Sequence, residues 1–269
     1  MFRKSVLSAS ILLAIAPSVI ADETKTLEEV VVTATRTNSQ LEDTAASVAV
    51  LDDEEIEQNM VTDLDDLFEY TPGVSVETNS RQGVKSINIR GIDGNRIKVL
   101  VDGVAQGNEF ESGAQFINSS RVEIDLDLIK SVQVVKGAAS SLQGSNAIGG
   151  IVAFETKTPA DILKNREIAG LAKFNYSSKD KTFSETVALA NQFGNLESLV
   201  AFTRRDGKEL RNFGEPEPQD SETNNVLVKL NYQLNDEHRI EFSGNYLKKD
   251  AQTTLPNANY GFVNYIDVV

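Results

Sequence analysis

The C-terminal part of the chain alternates apolar and polar residues over long stretches, and this period of two constrains the fold more than any other feature. One face of the stretch 223–234 carries Val226, Val228, Leu230, Tyr232 and Leu234. The opposite face carries Leu227, Lys229, Asn231 and Gln233. Such alternation predicts β-strands, which we place at 168–177, 182–193, 196–205, 223–234 and 238–249.

The length of these five strands favours one of two kinds of sheet. A strand needs about 9–11 residues to cross a bilayer, and all five segments reach that length. They therefore predict part of a transmembrane β-barrel, with apolar side chains outside and polar side chains inside. The alternative is a soluble β-sandwich, whose strands also alternate. The gap at 206–222 predicts a long loop, whereas the gaps at 194–195 and 235–237 predict tight turns.

Residues 1–21 predict export from the cytoplasm. Arg3 and Lys4 precede the apolar run 11–16, and the tripeptide 19–21 (VIA) suits a signal peptidase. A membrane anchor is the alternative, but a spanning helix needs about 20 apolar residues and this run is shorter. We expect a secretory signal peptide that is cleaved after Ala21.

The tail at 22–47 contains one β-prone segment, 28–35 (EEVVVTAT), between polar flanks. A lone strand in a terminal tail has unpaired N–H and C=O groups, so it can add to the sheet edge of another protein. The alternative is an ordinary first strand of the domain that follows.

Residues 48–157 alternate short strands with polar turns and two short helices, which predicts a compact α+β domain. One helix is expected at 52–60. A second begins with Thr62 as its N-cap and ends before Pro72-Gly73. Alternating residues predict strands around 87–89, 97–101, 132–135 and 151–154.

Composition argues against several functions. The net charge of −14 disfavours binding to nucleic acid, whose phosphates are also negative. The absence of cysteine excludes thiolate sites, and any histidine-based site would need the single His238. Asp125 and Asp127 form an acid pair, but they have no nearby histidine to suggest acid–base catalysis. The glycines near 144–150 lack the Lys-Ser/Thr ending of a phosphate loop, and we expect them to permit tight turns and close packing. We expect no enzyme activity, no bound metal and no resident cofactor.

Several blocks of the domain at 48–157 resemble the plug domain of TonB-dependent outer-membrane receptors. The blocks are 70–74 (YTPGV), 89–91 (IRG), 99–104 (VLVDGV), 134–142 (VVKGAASSL) and 144–152 (GSNAIGGIV). Within that family, 94–106 (GNRIKVLVDGVAQ) and 153–161 (AFETKTPAD) look most like the haem and haemoglobin receptors.

The resemblance implies an α+β plug domain followed by the first antiparallel strands of a transmembrane β-barrel. The implied order is signal peptide 1–21, periplasmic tail 22–47, plug 48–157 and about five barrel strands in 158–269. Plugged barrels close with about 22 strands, so five strands leave the barrel incomplete. We therefore expect the chain to be a truncated N-terminal portion of a receptor.

The resemblance also implies roles for particular residues. The segment 28–35 becomes the TonB box, with TonB contacts expected at Glu28, Glu29, Val30, Val31, Val32 and Thr33. Contacts between the plug and the barrel are expected at Arg90 and Gln133, where many relatives have a glutamate in place of the glutamine. Gln133 either weakens that contact or still makes adequate hydrogen bonds. Ligand contacts are expected at Gln106, Asn108, Glu109 and Phe110.

These roles describe a receptor in the outer membrane, in contact with its lipid and with TonB in the periplasm. Its expected ligand is an extracellular iron carrier, haem or a haemoprotein first and a ferric siderophore next, with haem as cargo rather than cofactor. The plug segment has no histidine, which argues against direct haem ligation there. The alternative is a non-transporting plug fragment that only binds TonB in the periplasm. A secreted hydrolase lacks a nucleophile–base pair in this sequence.

Overall fold

The computed structural model describes residues 47–79, 83–108, 124–139, 147–210, 217–235 and 237–253. The helices are α1 (Asp53–Gln58), α2 (Leu64–Phe68) and α3 (Pro159–Leu163). The first seven strands are β1 (Ser47–Asp52), β2 (Val74–Asn79), β3 (Gly83–Ile89), β4 (Ile97–Val101), β5 (Val104–Ala105), β6 (Ile129–Lys136) and β7 (Gly150–Thr156). The last five are β8 (Ile168–Ser177), β9 (Thr182–Phe193), β10 (Leu196–Leu210), β11 (Glu217–Gln233) and β12 (Arg239–Thr253).

The first seven strands form a domain that we call the plug. Its main sheet has the order β1-β6-β7-β4-β5, in which β4 and β7 are parallel and the other pairs are antiparallel. The strands β2 and β3 form a separate hairpin. One core cluster joins this hairpin and both N-terminal helices to the sheet, with Phe68, Ile89 and Phe154 among its most buried members. The predicted α+β domain is therefore present.

The starts of the two N-terminal helices follow from aspartate caps. The Asp52 side chain accepts a hydrogen bond from the amide of Glu55 at 2.8 Å and begins α1. The predicted N-cap of the second helix, Thr62, is wrong by one residue, because the Asp63 carboxylate accepts from the amide of Asp66 at 2.8 Å. Thr62 instead donates its hydroxyl to the Asp66 carboxylate at 2.6 Å.

Two adjacent glycines allow the close packing that the sequence predicted. A Cβ on Gly149 would lie 2.5 Å from a methyl of Ile92, and a Cβ on Gly150 would lie 2.4 Å from the carbonyl oxygen of Val135. Gly150 also has a positive φ of +154°. The segment that leads into β7 can therefore pass against its neighbours only without side chains.

The remaining strands form a second five-stranded sheet that we call the wall. Its order is β12-β11-β10-β9-β8, with every neighbouring pair antiparallel. The bounds of β8 and β9 agree with those predicted from alternation. Within the part of the chain that the structure describes, this sheet is not closed into a barrel, which agrees with the predicted fold class.

The long loop predicted at 206–222 is wrong, because β10 continues to Leu210 and β11 begins at Glu217. Charged side chains pair along this polar extension. Lys208 lies 2.8 Å from Asp220, and Arg204 lies 3.2 Å from Glu222 on the neighbouring strand. Opposite charges across a strand pair support polar residues in a sheet, so the extension stays in strand form.

The two faces of the wall have opposite character. The outer face exposes large apolar side chains, including Phe174, Phe193, Phe202, Tyr232, Phe242 and Tyr246. The inner face buries polar side chains against the plug, including Ser184, Thr186, Thr203, Asn225 and Lys229. A soluble sandwich has the reverse arrangement, so the structure favours the barrel strands that the sequence predicted. No helix among the described residues is both long and apolar enough to cross a membrane.

Candidate functional site

The linker helix α3 and the adjoining wall strands make the apolar part of the contact between plug and wall. Leu128 of the plug and Ile162 and Leu163 of α3 pack against the inner face of the wall. That face presents the small residues Ala169, Ala188, Ala190 and Ala201 together with Leu199 and Leu227. Alanines at these positions leave room for the helix between the sheets.

A capping box fixes the start of α3. The Asp161 carboxylate accepts hydrogen bonds from the amide and the hydroxyl of Thr158, at 2.7 and 2.6 Å. Lys130 lies 3.1 Å from the same carboxylate. Burial acts to raise the pKa of Asp161, but the bonds from Thr158 and the charge of Lys130 outweigh it and hold the pKa below its usual value.

Next to this apolar contact, two plug carboxylates meet cations of the wall. Nη2 of Arg205 lies 2.8 Å from Oδ1 of Asp125 and 2.6 Å from Oδ2 of Asp127. Nζ of Lys173 lies 2.7 Å from the other oxygen of Asp127. Both aspartate side chains are at most 5% exposed, so the attraction of these cations offsets the cost of removing the carboxylates from water.

Neutral donors complete the same cluster. Nδ2 of Asn225 donates to Oδ2 of Asp125 at 3.0 Å, and the hydroxyl of Thr186 donates to Asp127 at 3.3 Å. Thr186 also lies 3.0 Å from the hydroxyl of Thr203. We call Asp125, Asp127, Lys173, Arg205 and Asn225 the aspartate–arginine cluster.

Asp102 makes a second contact between plug and wall. Its Oδ1 accepts from the amide of Thr156 at 2.8 Å, and its Oδ2 accepts from the Thr156 hydroxyl at 2.7 Å. On the wall side, Nζ of Lys229 lies 3.2 Å from Oδ2, and the hydroxyl of Ser243 donates to it at 3.4 Å. Lys229 also donates to the carbonyl of Thr156 at 3.0 Å. One lysine of the wall therefore contacts both the β4–β5 turn and the end of β7.

The turn between β8 and β9 provides a third contact, with the N-terminal end of α2. Lys179 forms ion pairs with Asp66 and, at 3.8 Å, with Asp63. Burial acts to raise the pKa of Asp66, but hydrogen bonds from Lys179 and Thr62 outweigh it and hold that pKa below its usual value. Burial raises the pKa of Asp63, and the nearby Asp66 charge adds to this effect.

The three contacts share one arrangement of charge. The plug contributes carboxylates, and the wall contributes lysine and arginine, although the chain as a whole carries a net charge of −14. Complementary charge of this kind fixes the position of two surfaces more than it adds net stability, because desolvation offsets much of the attraction.

A cavity of about 280 Å³ lies between the Asp102 contact and the aspartate–arginine cluster. Its lining includes Asp102, Asp125, Thr156, Asn225, Ser243 and Asn245. Oδ1 of Asn225 is buried and has no hydrogen-bond partner within the described residues. A cavity with this polar lining holds water readily, since one water molecule occupies about 30 Å³ in the liquid. The contact between plug and wall therefore has room for water beside Asp102 and Asp125.

Two sequence-predicted contact residues lie elsewhere in the plug. The Arg90 side chain donates to the carbonyl of Lys136 at 3.2 Å, within the plug. Burial lowers the pKa of Lys136, and the charge of Arg90 lowers it further. Gln133 is buried in β6, where its neighbours in register are Val50 and Ala153. Contact of Arg90 or Gln133 with a barrel remains a prediction.

The predicted ligand residues lie after β5. The backbone N–H of Gln106 donates to the carbonyl of Val99 at 2.9 Å, and the residue lines the cavity beside Asp102. Asn108 is exposed, whereas Glu109 and Phe110 lie outside the described residues. The signal peptide at 1–21 and the TonB-box residues Glu28, Glu29, Val30, Val31, Val32 and Thr33 also lie outside them.

The structure gives the acid pair a role that the sequence reasoning missed. In the sequence, Asp125 and Asp127 suggest only an acid–base pair, but in the structure both bind wall cations. The sequence did contain one signal for this role, because a cation that faces a barrel interior needs a partner. The predicted strands place three such cations on the inner face, namely Lys173, Arg205 and Lys229. His238 lies in the β11–β12 turn, with its ring 3.0 Å from Asn235. No group of acidic or histidine side chains among the described residues is placed to hold a metal ion.

The fold and this site define a class of protein in which a small mixed-sheet plug is seated by complementary charges against long amphipathic strands. Residues 40–151 match the family model of the TonB-dependent Receptor Plug Domain. The chain therefore carries the plug of the TonB-dependent receptor family, followed by antiparallel strands of the kind found in these receptors.

Two relatives extend the similarity beyond the plug. Transferrin-binding protein A of Neisseria meningitidis serogroup B is 33% identical over 225 residues, which make up 78% of this chain and 25% of that protein. Hemoglobin and hemoglobin-haptoglobin-binding protein B of Haemophilus influenzae is 27% identical, over 80% of this chain and 23% of that protein. The chain thus spans about a quarter of the length of these relatives.

Solved structures show the same fold. The hemophore receptor HasR of Serratia marcescens, in complex with its hemophore HasA and heme, aligns with a TM-score of 0.67 at 24% identity. This alignment covers 78% of the present chain and 32% of HasR. The ferripyoverdine receptor of the Pseudomonas aeruginosa outer membrane aligns with a TM-score of 0.68 at 19% identity, over 90% of this chain and 31% of that one.

Proposed function

We propose that this chain serves energy-coupled uptake of an iron-containing ligand across a bacterial outer membrane, with no enzyme activity of its own. The complementary charge between plug and wall is the observation that carries the proposal. Water can solvate charged groups once they separate, so charged contacts can be broken and re-formed without exposing a large apolar surface. The plug keeps a separate apolar core around Phe68 and Phe154. Its charged contacts with the wall can therefore break while its sheet stays folded.

The partner that breaks the contacts between plug and wall is TonB in the periplasm. The sequence of the segment 28–33 is β-prone, and a segment of this kind can add as a strand to a sheet edge of TonB through main-chain hydrogen bonds. It lies ahead of β1, so force applied there reaches β1, α1 and α2 before the centre of the plug. We place this tail in the periplasm and the wall in outer-membrane lipid.

Haem or a haemoprotein is the favoured ligand, and a ferric siderophore is the next candidate. Support comes from the sequence blocks 94–106 and 153–161 and from a relative whose name specifies haemoglobin binding. A second relative is named for transferrin, which keeps protein-bound iron among the candidates. We assign ligand contact to four plug residues, Gln106, Asn108, Glu109 and Phe110. Haem is cargo in this proposal rather than a cofactor.

Growth on a single iron source tests the proposal. An iron-starved strain that lacks the gene is complemented with the wild type and supplied with haemin, haemoglobin, transferrin or a ferric siderophore. We expect growth on haemin and haemoglobin, lost when TonB is deleted. Growth only on the siderophore would replace haem by that alternative. No growth on any source, with the protein present in the outer membrane, would contradict uptake.

The proposed TonB segment has its own test. Val31→Pro removes an N–H donor from the strand, so TonB binding and uptake should both fall at least tenfold. Ser39→Pro, in the same tail but outside the segment 28–35, is the matched control and should leave both unchanged. Equal TonB binding by Val31→Pro and wild type would rule out the assignment of 28–33.

The second candidate is a plug that binds TonB in the periplasm without transport. It is favoured by the plug's own core, which has members on both faces of the main sheet. Fractionation separates the two candidates, because a receptor is recovered with outer membranes and a free plug with soluble periplasmic proteins.

A further inference from the structure

Asp102 lies at a turn that leads directly to the proposed ligand loop. Asp102 and Gly103 join β4 to β5, and both have positive φ angles, +47° and +78°. Val101 and Val104 pair across this two-residue turn, and such turns require residues that tolerate a left-handed backbone. The chain continues into Gln106, whose amide is bonded to β4. Any displacement of the loop therefore acts on Asp102 within a few residues.

The Asp102 carboxylate brings three further strands to this turn. It accepts two hydrogen bonds from Thr156 at the end of β7, at 2.8 and 2.7 Å. It also contacts Lys229 of β11 at 3.2 Å and Ser243 of β12 at 3.4 Å. The side chain thus ties the turn to the plug sheet and to the wall at one point.

From Thr156 the contacts continue to the N-terminal end of the plug. The next residue, Lys157, donates its amide to the carbonyl of Leu128 at 2.8 Å. Its ammonium lies 3.0 Å from Oδ2 of Asp53, the first residue of α1. The Lys157 side chain is only 9% exposed, which holds the ammonium in place. A continuous set of contacts therefore runs from the loop to α1, through Asp102, Thr156, Lys157 and Asp53.

The structure also gives the turn a place to move. Asp102, Val104, Gln106 and Thr156 all line the cavity of about 280 Å³. Lys229 has a second acceptor, the carbonyl of Thr156 at 3.0 Å, so the ammonium keeps a partner when the Asp102 carboxylate leaves. The ammonium then loses its counter-charge, but the remaining hydrogen bond lowers the cost of leaving it buried.

We propose that Asp102 is a coupling residue, through which displacement of the loop at 104–108 loosens α1 by way of Thr156 and Lys157. The inference deepens the proposed function, on which it rests, by naming how the ligand loop communicates with the end of the plug that TonB would pull. A purely local role for Asp102, as a turn residue, predicts a different result, because its effects would stop at β4, β5 and Thr156.

Hydrogen exchange measured by mass spectrometry distinguishes the two roles without ligand, TonB or uptake. The full chain is compared in detergent as wild type and as Asp102→Asn. Asparagine tolerates the left-handed turn, but an amide nitrogen in place of Oδ2 cannot accept from the Thr156 hydroxyl, Lys229 or Ser243. We expect exchange about tenfold faster at Thr156, at Lys157 and at the amides of α1, since these positions lose a shared anchor. Amides of β3 should be unchanged. Asp220→Asn is the matched control, because Asp220 pairs with Lys208 at an exposed site outside this set of contacts.

Lys157→Met breaks the set between Thr156 and α1 while keeping the side-chain length. In that background, Asp102→Asn should add nothing further to exchange in α1. Should Asp102→Asn fail to fold, Thr156→Val removes only the 2.7 Å hydroxyl bond and should give a smaller change of the same sign. Exchange that changes only at 102–106 and Thr156 would overturn the proposal, as would an α1 response that persists in Lys157→Met. Because the readout is contact within the chain, a failed uptake experiment and a failed coupling experiment are distinguishable.

Discussion

Arg205 of the wall and Asp125 of the plug lie 2.8 Å apart, from Nη2 to Oδ1, although 80 residues separate them in the sequence. The same guanidinium nitrogen contacts Asp127 at 2.6 Å, and Nη1 donates to the carbonyl of Thr62 at 3.4 Å. One side chain therefore contacts two separate segments of the plug, and the guanidinium fork suits this better than a lysine would.

Arg205→Met should strongly destabilise the contact between plug and wall, because it leaves two buried carboxylates with Lys173 as their remaining cation. Breaking a buried pair costs about 3–5 kcal/mol, and we expect the lower end of that range here. Thermal unfolding in detergent measures the loss. Arg204→Met is the matched control, since Arg204 pairs with Asp206 and Glu222 at the surface and should barely shift the midpoint.

The rescue of Arg205→Met is equally informative. Adding Asp125→Asn and Asp127→Asn removes the stranded charges, so the midpoint should recover in part. A further fall in the triple variant would show that the aspartates do not depend on Arg205.

Gly150→Ala should prevent correct packing of the plug. The new Cβ would meet the carbonyl oxygen of Val135 at 2.4 Å, in a backbone with a φ of +154°. We expect a cost above about 2 kcal/mol, because neither the strand nor the backbone can adjust freely. Limited proteolysis of the purified chain measures it. Gly103→Ala is the control, since its φ is also positive, +78°, but nothing lies within 4 Å of the new Cβ. It should cost only about 1 kcal/mol, and equal sensitivity of the two variants would refute the packing argument.

Asp63 and Asp66 should respond to acid in opposite directions. Asp66 has a pKa below the ordinary 3.8, so its contribution to stability is present above pH 3.8 and is lost as the pH falls through the folded value. Asp66→Asn should therefore lower stability at neutral pH, by about 0.5 kcal/mol for a partly exposed pair with Lys179, and the difference should vanish in strong acid.

Asp63 has a pKa above 3.8, so its stabilising protonated form is present below 3.8 and is lost as the pH rises through the folded value. Asp63→Asn keeps the N-cap and removes the ionised form, so it should be slightly more stable than wild type at neutral pH. This advantage should disappear in acid. Urea unfolding between about pH 2 and pH 7 compares the two variants. Parallel pH profiles would contradict the assigned shifts.

Local patterns predicted the elements of this chain well, and they failed where partners are distant in the sequence. The bounds of β8 and β9 follow from alternation alone, because a strand with one apolar face shows it directly. The N-cap of α2 was misplaced by one residue, since Thr62 and Asp63 are both good caps and only the backbone distinguishes them. The loop at 206–222 was overestimated, because charge pairs across β10 and β11 support strands that look like loop in sequence.

The site itself depended on pairs that no local pattern contains. Lys229 was recognised as a member of the polar face, but its partner Asp102 lies on a turn 127 residues earlier. The acid pair Asp125 and Asp127 was visible, yet its neighbours in sequence gave no reason to connect it with Arg205. Long-range charge pairing is decided by topology, and the topology became known only with the sheet order.

The most direct test is a reversible cross-link between plug and wall, because we propose that the plug must separate from the wall for uptake. The chain has no cysteine, so Leu128→Cys with Leu227→Cys introduces one thiol on the plug and one on the wall. Both positions line the cavity and belong to one apolar cluster, and the charged contacts stay intact. A short bis-methanethiosulfonate reagent joins the thiols, and dithiothreitol releases them.

Uptake of the iron ligand is then measured in cells before linking, after linking and after reduction, with each single-cysteine variant as a control. We expect the linked protein to bind ligand at the cell surface without transporting it, and we expect reduction to restore transport. Transport at the same rate by linked and unlinked protein would contradict this expectation.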